Sequence, residues 1–307
     1  MKSKQADKFQ SFLEKENVTI LVVDSGLGGM AICAELARRL PLIHHFKTVS
    51  LIYFNAWPQQ NKGYNRLGSR KEQIDTFDRA LNSMRQYHPD FIMLACNTLS
   101  VLYPSTIFCQ NTPIPVIDIV DFGVNMIAES IHRSQNSQVV ILGTVTTINS
   151  RVHYDLLLKK GMSTKQIVLQ PCDQLATAIE NGPETTKVVE MIHTFLNEAT
   201  LKINSSTTKL YAALCCTHFG YCQDQFQTKL SKLSGKSASI LNPNFHMADH
   251  LISHCTGRGL NTEQSVKVVS KIQWDSAKIN AIMERIHPVS NQTGQALSNY
   301  EHLPDLF

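Results

Sequence analysis

The chain alternates short, wholly apolar segments with longer amphipathic ones. The apolar segments are rich in β-branched residues and have no polar face, which is typical of strands buried on both sides of a parallel sheet. They lie at 18–26, 48–55, 90–98, 114–120, 138–144, 166–172, 209–217 and 237–243. Helical patterns separate most of them, at 30–40, 69–86, 121–132, 150–160 and 185–199. This alternation predicts an α/β protein built on doubly wound parallel sheets.

The length of the chain and a weakly repeated sequence pattern predict two domains. A chain of 307 residues exceeds the size at which one hydrophobic core usually stops growing. An apolar strand followed by Cys-x-Thr or Cys-Thr occurs once in each half, at Cys96 and at Cys216, which indicates two domains related by pseudo-two-fold symmetry. We expect residues 1–118 and 223–307 to form the first domain and residues 119–222 the second. The polar segment from about 288 onward is expected to be loosely packed.

Composition excludes several classes of protein. Hydrophobic residues make up 43% of the chain and charged residues 18%, as in an ordinary globular protein. The net charge is only +4 and the basic residues are scattered without blocks, so nucleic acid is not an expected partner. No apolar run has the roughly 20 residues needed to cross a bilayer, and the charged N-terminus is not a signal peptide. Eight cysteines are too few for a disulfide scaffold. We therefore expect a cytoplasmic protein with free thiols and no membrane partner.

The first strand ends in a glycine-rich turn, Asp24-Ser25-Gly26-Leu27-Gly28-Gly29. One interpretation is a tight turn from strand to helix, in which glycines relieve backbone sterics. Another is an anion site, in which the turn directs backbone N–H groups at a ligand. The spacing differs from G-x-G-x-x-G and no acidic residue ends the second strand, so a dinucleotide is not expected.

Two further strand ends carry cysteines, in "LACNTLS" (94–100) and "ALCCTHFGYC" (213–222). A cysteine at the end of a strand is often a small buried filler, but Asn97 and Thr98 beside Cys96 are polar groups that need partners. In the second segment, strand alternation directs Cys215 and Cys216 to opposite faces. That arrangement, and the lack of paired-knuckle spacing, argue against zinc, so no metal is expected.

Four motifs together carry a family resemblance. "VVDSGLGG", "LACNTLS", "ILGTVTTINS" and "LCCTHFG" resemble, in this order and spacing, the cofactor-independent glutamate racemases of the aspartate/glutamate racemase superfamily. The resemblance covers roughly residues 18–255. It implies two α/β domains that face each other across an active-site cleft and supply one catalytic cysteine each. It also implies that the enzyme uses no cofactor, neither pyridoxal phosphate nor metal nor nucleotide.

The resemblance assigns roles to individual residues. Cys96 and Cys216 are the expected acid–base pair, with Asp24 beside the first thiol and His218 beside the second. Racemisation needs two such groups because a single base tends to return the proton to the face that it left. Glu180 matches a family glutamate near the histidine, or is an exposed carboxylate at a helix end; the sequence leaves both open. The residues expected to hold the ammonium and carboxylate groups of the substrate are Ser25, Asn97, Thr98, Thr144, Thr147 and Thr217.

The chain departs from the family where the substrate side chain is expected to bind. The family pattern G-D-T-A-R-x-P-Y-G is replaced by "NAWPQQNKGYNRLGS" at 55–69. Tyr64 and Asn65 occupy the equivalent place and are expected to contact the substrate. Arg66 either reaches a substrate carboxylate or is a solvated loop residue. Cys215 also replaces the family's glycine, and Phe219-Gly220 replaces Tyr-Pro.

The sequence thus predicts an amino-acid racemase that converts L-glutamate into D-glutamate for peptidoglycan. A racemase for aspartate or another amino acid is the first alternative, and a decarboxylase or isomerase of the superfamily is the second. The alternative from another class is a silent protein that binds an amino acid or a protein partner. Retention of both thiols and of their two helpers favours the enzyme. The sequence leaves a homodimer open.

Overall fold

A computed structural model describes residues 2–134 and 136–307, with the side chains of residues 5–134 and 136–307. The chain divides into two compact units. The first comprises the residues up to Ile119 together with Asn244–Phe307, and the second comprises Val120–Pro243.

Strands and helices alternate along most of the chain. The strands are β1 (Asn17–Asp24), β2 (Thr48–Asn55), β3 (Phe91–Leu94), β4 (Val116–Asp118), β5 (Ser137–Gly143), β6 (Ile167–Pro171), β7 (Lys209–Cys215), β8 (Ser237–Leu241), β9 (Glu263–Ser270) and β10 (Glu301–His302). The helices are α1 (Lys2–Leu13), α2 (Met30–Ile43), α3 (Arg70–Ser83), α4 (Asn97–Ser100), α5 (Ile107–Asn111), α6 (Ile119–His132), α7 (Val145–Asn149), α8 (Val152–Lys159), α9 (Leu175–Glu180), α10 (Thr186–Thr200), α11 (Gln223–Ser234), α12 (Pro243–His254), α13 (Ser276–Ile286) and α14 (Asn291–Ser298). All eight predicted strands are present, and the predicted α/β class with parallel sheets is confirmed.

Both units are built on the same core strand order. The six-stranded sheet of the first unit runs β10-β9-β2-β1-β3-β4, and the four-stranded sheet of the second runs β6-β5-β7-β8, with every pair parallel. In each sheet the first strand in the chain lies between the second and the third. The strand order therefore reverses between β1 and β3, and again between β5 and β7. Open α/β sheets bind ligands at the carboxyl ends of such switch points.

Each sheet is buried beneath helices. The central strands β1 and β5 are apolar on both faces, and residues such as Ile20, Leu21, Val140 and Leu142 have no exposed surface. Burial on both faces accounts for the continuous apolar runs in the sequence. One apolar cluster of the first unit includes Tyr64 and Cys96, and one of the second includes Cys216 and Cys222. These two clusters lie next to the strand ends that carry the candidate chemistry.

The C-terminal segment is more ordered than its polarity predicts. Residues 291–298 form α14, which buries Thr293 and Leu297, and β10 extends the first sheet beside β9. Leu306 is buried as well, and Lys271 donates a hydrogen bond to the carbonyl of Phe307. The expectation of a loosely packed tail is therefore wrong. Its few apolar residues are spaced so that they fill one side of the first unit.

The second domain extends further than the sequence boundary at 222. Strand β8 pairs with β7 in register from Lys209–Ser237 to Ala213–Leu241, so α11 and β8 belong to the four-stranded sheet. The compact unit accordingly ends at Pro243 rather than at 222. No helix in the described part of the chain is both long enough and apolar enough to span a membrane.

Candidate active site

The turn after β1 holds the carboxylate of Asp24 with its own backbone. One oxygen of Asp24 accepts a hydrogen bond from the N–H of Gly26 at 3.0 Å, and the other accepts one from the N–H of Gly29 at 2.7 Å. A Cβ atom on Gly29 would lie 2.8 Å from that second oxygen, which is too close, so the position requires glycine. The two interpretations of the glycine-rich turn are thus both partly right. It is a tight turn whose amides bind an anion, and that anion is the side chain of Asp24.

Two buried side chains brace this turn from the neighbouring strand. Tyr53 Oη and Asn55 Nδ2 both donate hydrogen bonds to the carbonyl of Gly26, at 2.7 and 2.9 Å. Asn55 Oδ1 in turn accepts a hydrogen bond from the hydroxyl of Ser270 at 3.1 Å. Asn55 is not among the site residues that the sequence predicts. Its signal was a polar residue closing the apolar strand β2, the same signal that marked Asp24 at the end of β1.

The thiol of Cys96 lies beside this turn. Cys96 follows β3, immediately before α4, and its Sγ is 3.1 Å from the hydroxyl of Ser25. Burial raises the pKa of the thiol and the Asp24 carboxylate raises it further, while hydrogen bonds from Ser25 and from the Leu99 backbone oppose the shift. The next two predicted residues, Asn97 and Thr98, form the start of α4 and are buried. The structure thus brings five of the predicted site residues together in the first unit.

The loop that departs from the family pattern buries one of its predicted site residues and exposes the other two. Tyr64 is 2% exposed and packs edge-on against Phe77, whereas Asn65 and Arg66 are exposed on the same short 3-10 helix. The hydroxyl of Tyr64 has no hydrogen-bond partner in the described part of the chain. Trp57 packs against Gly63, where a Cβ atom would lie 2.6 Å from the indole ring. The interpretation of Arg66 as an exposed loop residue is the one that the structure supports.

A second thiol, a histidine and a glutamate form a chain in the second unit. Cys216 follows β7, and its Sγ lies 3.7 Å from Nδ1 of His218. Nε2 of His218 lies 2.7 Å from Oε1 of Glu180, the last residue of α9. All three residues are buried, with Glu180 only 3% exposed. The alternative of an exposed carboxylate at position 180 is therefore wrong.

The surroundings of His218 favour its charged form. Burial by itself lowers the pKa of the imidazole, but hydrogen bonds and charge from Cys216 and Glu180 outweigh it, so the pKa is raised well above its ordinary value. A raised pKa means that His218 favours its protonated form in its position between the Glu180 carboxylate and the Cys216 sulfur. This is the arrangement by which an imidazole assists the ionisation of a thiol.

Three predicted threonines lie at the carboxyl ends of β5 and β7. Thr144 caps α7, and its hydroxyl donates a hydrogen bond to the Thr147 hydroxyl at 3.0 Å. Thr217 follows Cys216 at the start of a 3-10 helix and is buried. With the Cys216 chain, they occupy the switch point of the second sheet.

The cysteine-rich segment is not arranged around a metal. Cys216 and Cys222 belong to the same apolar cluster, which does not include Cys215. Among the described residues, no group of three or more His, Cys, Asp or Glu side chains is placed to hold a metal ion. All eight cysteines are free thiols.

Comparisons with known proteins agree with the motifs. No family model matches the chain. A glutamate racemase of Syntrophus aciditrophicus is 25% identical over 162 residues, which cover 52% of this chain and about half (54%) of that relative. A glutamate racemase of Limosilactobacillus reuteri is 24% identical over 260 residues, which cover 84% of this chain and 88% of the relative.

Solved structures show the same fold. A glutamate racemase of Bacillus anthracis superposes with a TM-score of 0.67 at 21% identity, covering 89% of this chain and 94% of that one. A glutamate racemase of Francisella tularensis, solved in complex with D-glutamate, gives a TM-score of 0.65 at 22% identity with the same coverage.

Fold and site define a two-unit α/β protein in which each unit carries, at its sheet switch point, one thiol beside a carboxylate or an imidazole. In its motifs and along most of its length the chain is similar to glutamate racemases, and it shares their fold.

Proposed function

We propose that this protein is a cofactor-independent glutamate racemase that works by a two-base mechanism with Cys96 and Cys216. The observation that carries the proposal is the pairing of a thiol with an acid–base group in each unit. In the first unit Asp24 and Ser25 accompany Cys96, and in the second His218 and Glu180 accompany Cys216. A silent binding protein has no need of two such sets.

The reaction balances with one thiolate and one thiol. The thiolate takes the Cα proton of one enantiomer, which leaves a planar carbanion. The thiol on the opposite face then returns a proton to Cα, so the product is the mirror image and the two sulfurs have exchanged protonation states. Turnover in the reverse direction starts from this exchanged state.

The helpers are proposed to move protons on and off the thiols. Since burial raises the pKa of Cys96, a base is needed to ionise it, and the Asp24 carboxylate is held by the turn beside it. His218 serves Cys216, with Glu180 supporting the imidazolium charge. Neither route needs a metal or an organic cofactor.

Substrate recognition is proposed to use the polar strand ends. Hydroxyl and amide groups there suit the ammonium and α-carboxylate groups; we assign them to Ser25, Asn97, Thr98, Thr144, Thr147 and Thr217. The backbone around Tyr64 and Asn65 is the proposed contact for the distal carboxylate, because the Tyr64 side chain is buried in the core. We assign Arg66 no contact with the substrate, since its side chain is exposed.

The proposed setting is peptidoglycan synthesis in the cytoplasm, where D-glutamate is consumed. Both thiols must stay reduced to carry protons, which requires a reducing compartment. A homodimer remains a prediction.

The decisive experiment measures deuterium incorporation at Cα in D₂O, together with polarimetry, on a panel of D- and L-amino acids. We expect glutamate to exchange and racemise fastest, in both directions and after exhaustive chelation. Faster racemisation of aspartate or a neutral amino acid would replace glutamate as the substrate. Exchange with no amino acid, combined with binding of one, would favour the silent protein instead.

A further inference from the structure

Two side chains that the proposed chemistry does not use converge on a single backbone carbonyl in the second unit. Gln225 Nε2 donates a hydrogen bond to the carbonyl oxygen of Pro183 at 2.9 Å. The thiol of Cys222 donates to the same oxygen at 3.5 Å. Cys222 is the last cysteine of "CCTHFGYC", and no role has so far been assigned to it.

The carbonyl lies three residues after Glu180. Helix α9 ends at Glu180, and the chain then turns through Gly182, whose φ of 136° is in a region that favours glycine. A six-residue helix followed by a glycine turn does not by itself hold its terminal side chain firmly. A fixed Pro183 carbonyl therefore fixes the backbone from which the Glu180 carboxylate projects.

The same short helix carries both partners of this segment. The 3-10 helix Thr217–Cys222 presents His218 near its start and Cys222 at its end. His218 meets Glu180, and Cys222 meets Pro183, so the segment 180–183 is tied to the 3-10 helix at two points. Gln225, in the first turn of α11, adds the stronger of the two bonds to Pro183. Rotation of the 180–183 segment would change the Glu180–His218 distance directly.

A glutamine at position 225 destabilises the protein through its side-chain oxygen, unless its side-chain N–H is needed as a donor to Pro183. Its Oε1 is buried and has no hydrogen-bond partner among the described residues. An unsatisfied buried polar atom destabilises the folded state, and an apolar side chain at this position would avoid that cost. Natural proteins accept such a violation chiefly at functional sites.

We propose that Gln225, assisted by Cys222, is a positioning residue that clamps the Pro183 carbonyl and thereby aligns Glu180 and His218 with Cys216. The inference rests on the proposed function of His218 and Glu180, but the geometry of the clamp does not depend on which amino acid is racemised. Neither Gln225 nor Cys222 contacts the reacting atoms in this assignment.

The test compares two glutamines of α11. Gln225→Leu removes the donor to Pro183. Gln227→Leu is the matched control, because Gln227 Nε2 donates to the carbonyl of Ala238 at 2.9 Å, on β8. The readout is the titration of His218 followed by NMR, with the signal assigned by its loss in His218→Asn. This measurement needs no turnover.

We expect Gln225→Leu to lower the titration midpoint of His218 by about half a unit to one unit, because the misaligned carboxylate supports the imidazolium less. We also expect kcat to fall at least about fivefold with KM nearly unchanged, as for an interaction made mainly in the transition state. Gln227→Leu should change neither quantity. Cys222→Ser, which keeps a donor, should match the wild type in both quantities. Cys222→Ala combined with Gln225→Leu should lower the His218 midpoint and kcat further than Gln225→Leu alone.

An unchanged His218 midpoint in folded Gln225→Leu would overturn the clamp, and so would an equal shift in Gln227→Leu. If Gln225→Leu does not fold, Gln225→Asn carries the same test, because the shorter amide cannot reach Pro183. A shifted midpoint in a protein that racemises no amino acid would keep the clamp and refute the proposed function, so the two failures are distinguishable.

Discussion

At the scale of single residues, the two thiols differ in what surrounds them. Cys96 lies beside a hydroxyl and a carboxylate, whereas Cys216 lies beside an imidazole that is backed by a carboxylate. A carboxylate opposes ionisation of its neighbouring thiol, and an imidazolium favours it. In the proposed mechanism, the two half-reactions therefore start from thiols in chemically different surroundings.

Replacing either thiol should stop racemisation. We expect Cys96→Ala and Cys216→Ala each to lower kcat by at least about a hundredfold, because each is the proposed proton carrier on its face of the substrate. The measurement is polarimetry from both enantiomers, with far-UV circular dichroism to confirm folding. Cys215→Ala is the matched control, since Cys215 is the neighbouring buried thiol outside the proposed mechanism. Near-normal racemisation by either mutant would refute the two-base assignment.

The hydroxyl of Tyr64 is expected to contribute nothing to stability. It is buried without a hydrogen-bond partner in the described chain, so Tyr64→Phe should leave the free energy of unfolding unchanged or raise it by up to about 1 kcal/mol. Tyr53→Phe is the contrast, because it removes the 2.7 Å bond to the Gly26 carbonyl and should cost about 1–2 kcal/mol. Urea unfolding of the two variants measures this. If Tyr64→Phe lowered the free energy of unfolding more than Tyr53→Phe does, the Tyr64 hydroxyl would have a hydrogen-bond partner in solution.

At the scale of elements, the turn between β1 and α2 is a preformed cradle for one side chain. Its backbone amides hold Asp24, and β2 supports the turn through Tyr53 and Asn55. The carboxylate is therefore oriented before any substrate arrives. Preorganised groups of this kind avoid reorganisation during the reaction.

Adding one methyl group to this turn should disturb both stability and activity. Gly29→Ala would place a Cβ atom 2.8 Å from an Asp24 oxygen and 3.0 Å from the Cβ of Ala95. Overpacking of this kind typically costs about 1–3 kcal/mol, and here it displaces a proposed helper. Gly68→Ala is the control, since its nearest neighbour is the flexible end of Glu72. A Gly29→Ala variant with wild-type melting temperature and kcat would show that the cradle tolerates displacement.

At the scale of the whole molecule, buried thiols make stability depend on alkaline pH. Burial raises the pKa of six cysteines above the ordinary value of 9.0: the half-buried Cys109 and the buried Cys33, Cys96, Cys172, Cys215 and Cys255, the last to about 12. In the unfolded chain these thiols ionise near their ordinary value, so above it the native state binds more protons. The stabilisation that thiol burial provides is thus present below about pH 9 and is lost as pH rises further.

We therefore expect the free energy of unfolding to fall steeply between pH 9 and 11. Each buried thiol contributes a slope of about 1.4 kcal/mol per pH unit in this window. The measurement is urea unfolding at a series of pH values in the presence of a reductant. Cys33→Ala should flatten the slope by about one thiol's share, and an identical slope in that variant would contradict the assignment.

Much of the fold follows from local patterns in the sequence. Runs buried on both faces identified eight strands, whereas β9 escaped notice because Glu263, Gln264 and Lys267 interrupt its apolar character. The sequence also indicates which residues are candidates for chemistry, because the carboxyl ends of parallel strands are the expected positions for reactive groups. Asp24, Cys96 and Cys216 were found on this basis.

Only the tertiary structure decided which side chains meet. Glu180 and His218 are 38 residues apart, and Pro183 and Gln225 are 42 apart, and no local pattern encodes such contacts. The same holds for the 55–68 loop, where neighbouring Tyr64 and Asn65 have opposite exposure. Periodicity along the chain records which residues are buried, since burial depends on the geometry of one element. Hydrogen-bond partners depend on how several elements pack together, so the sequence determined the strands and the reactive residue types, and packing decided their alignment.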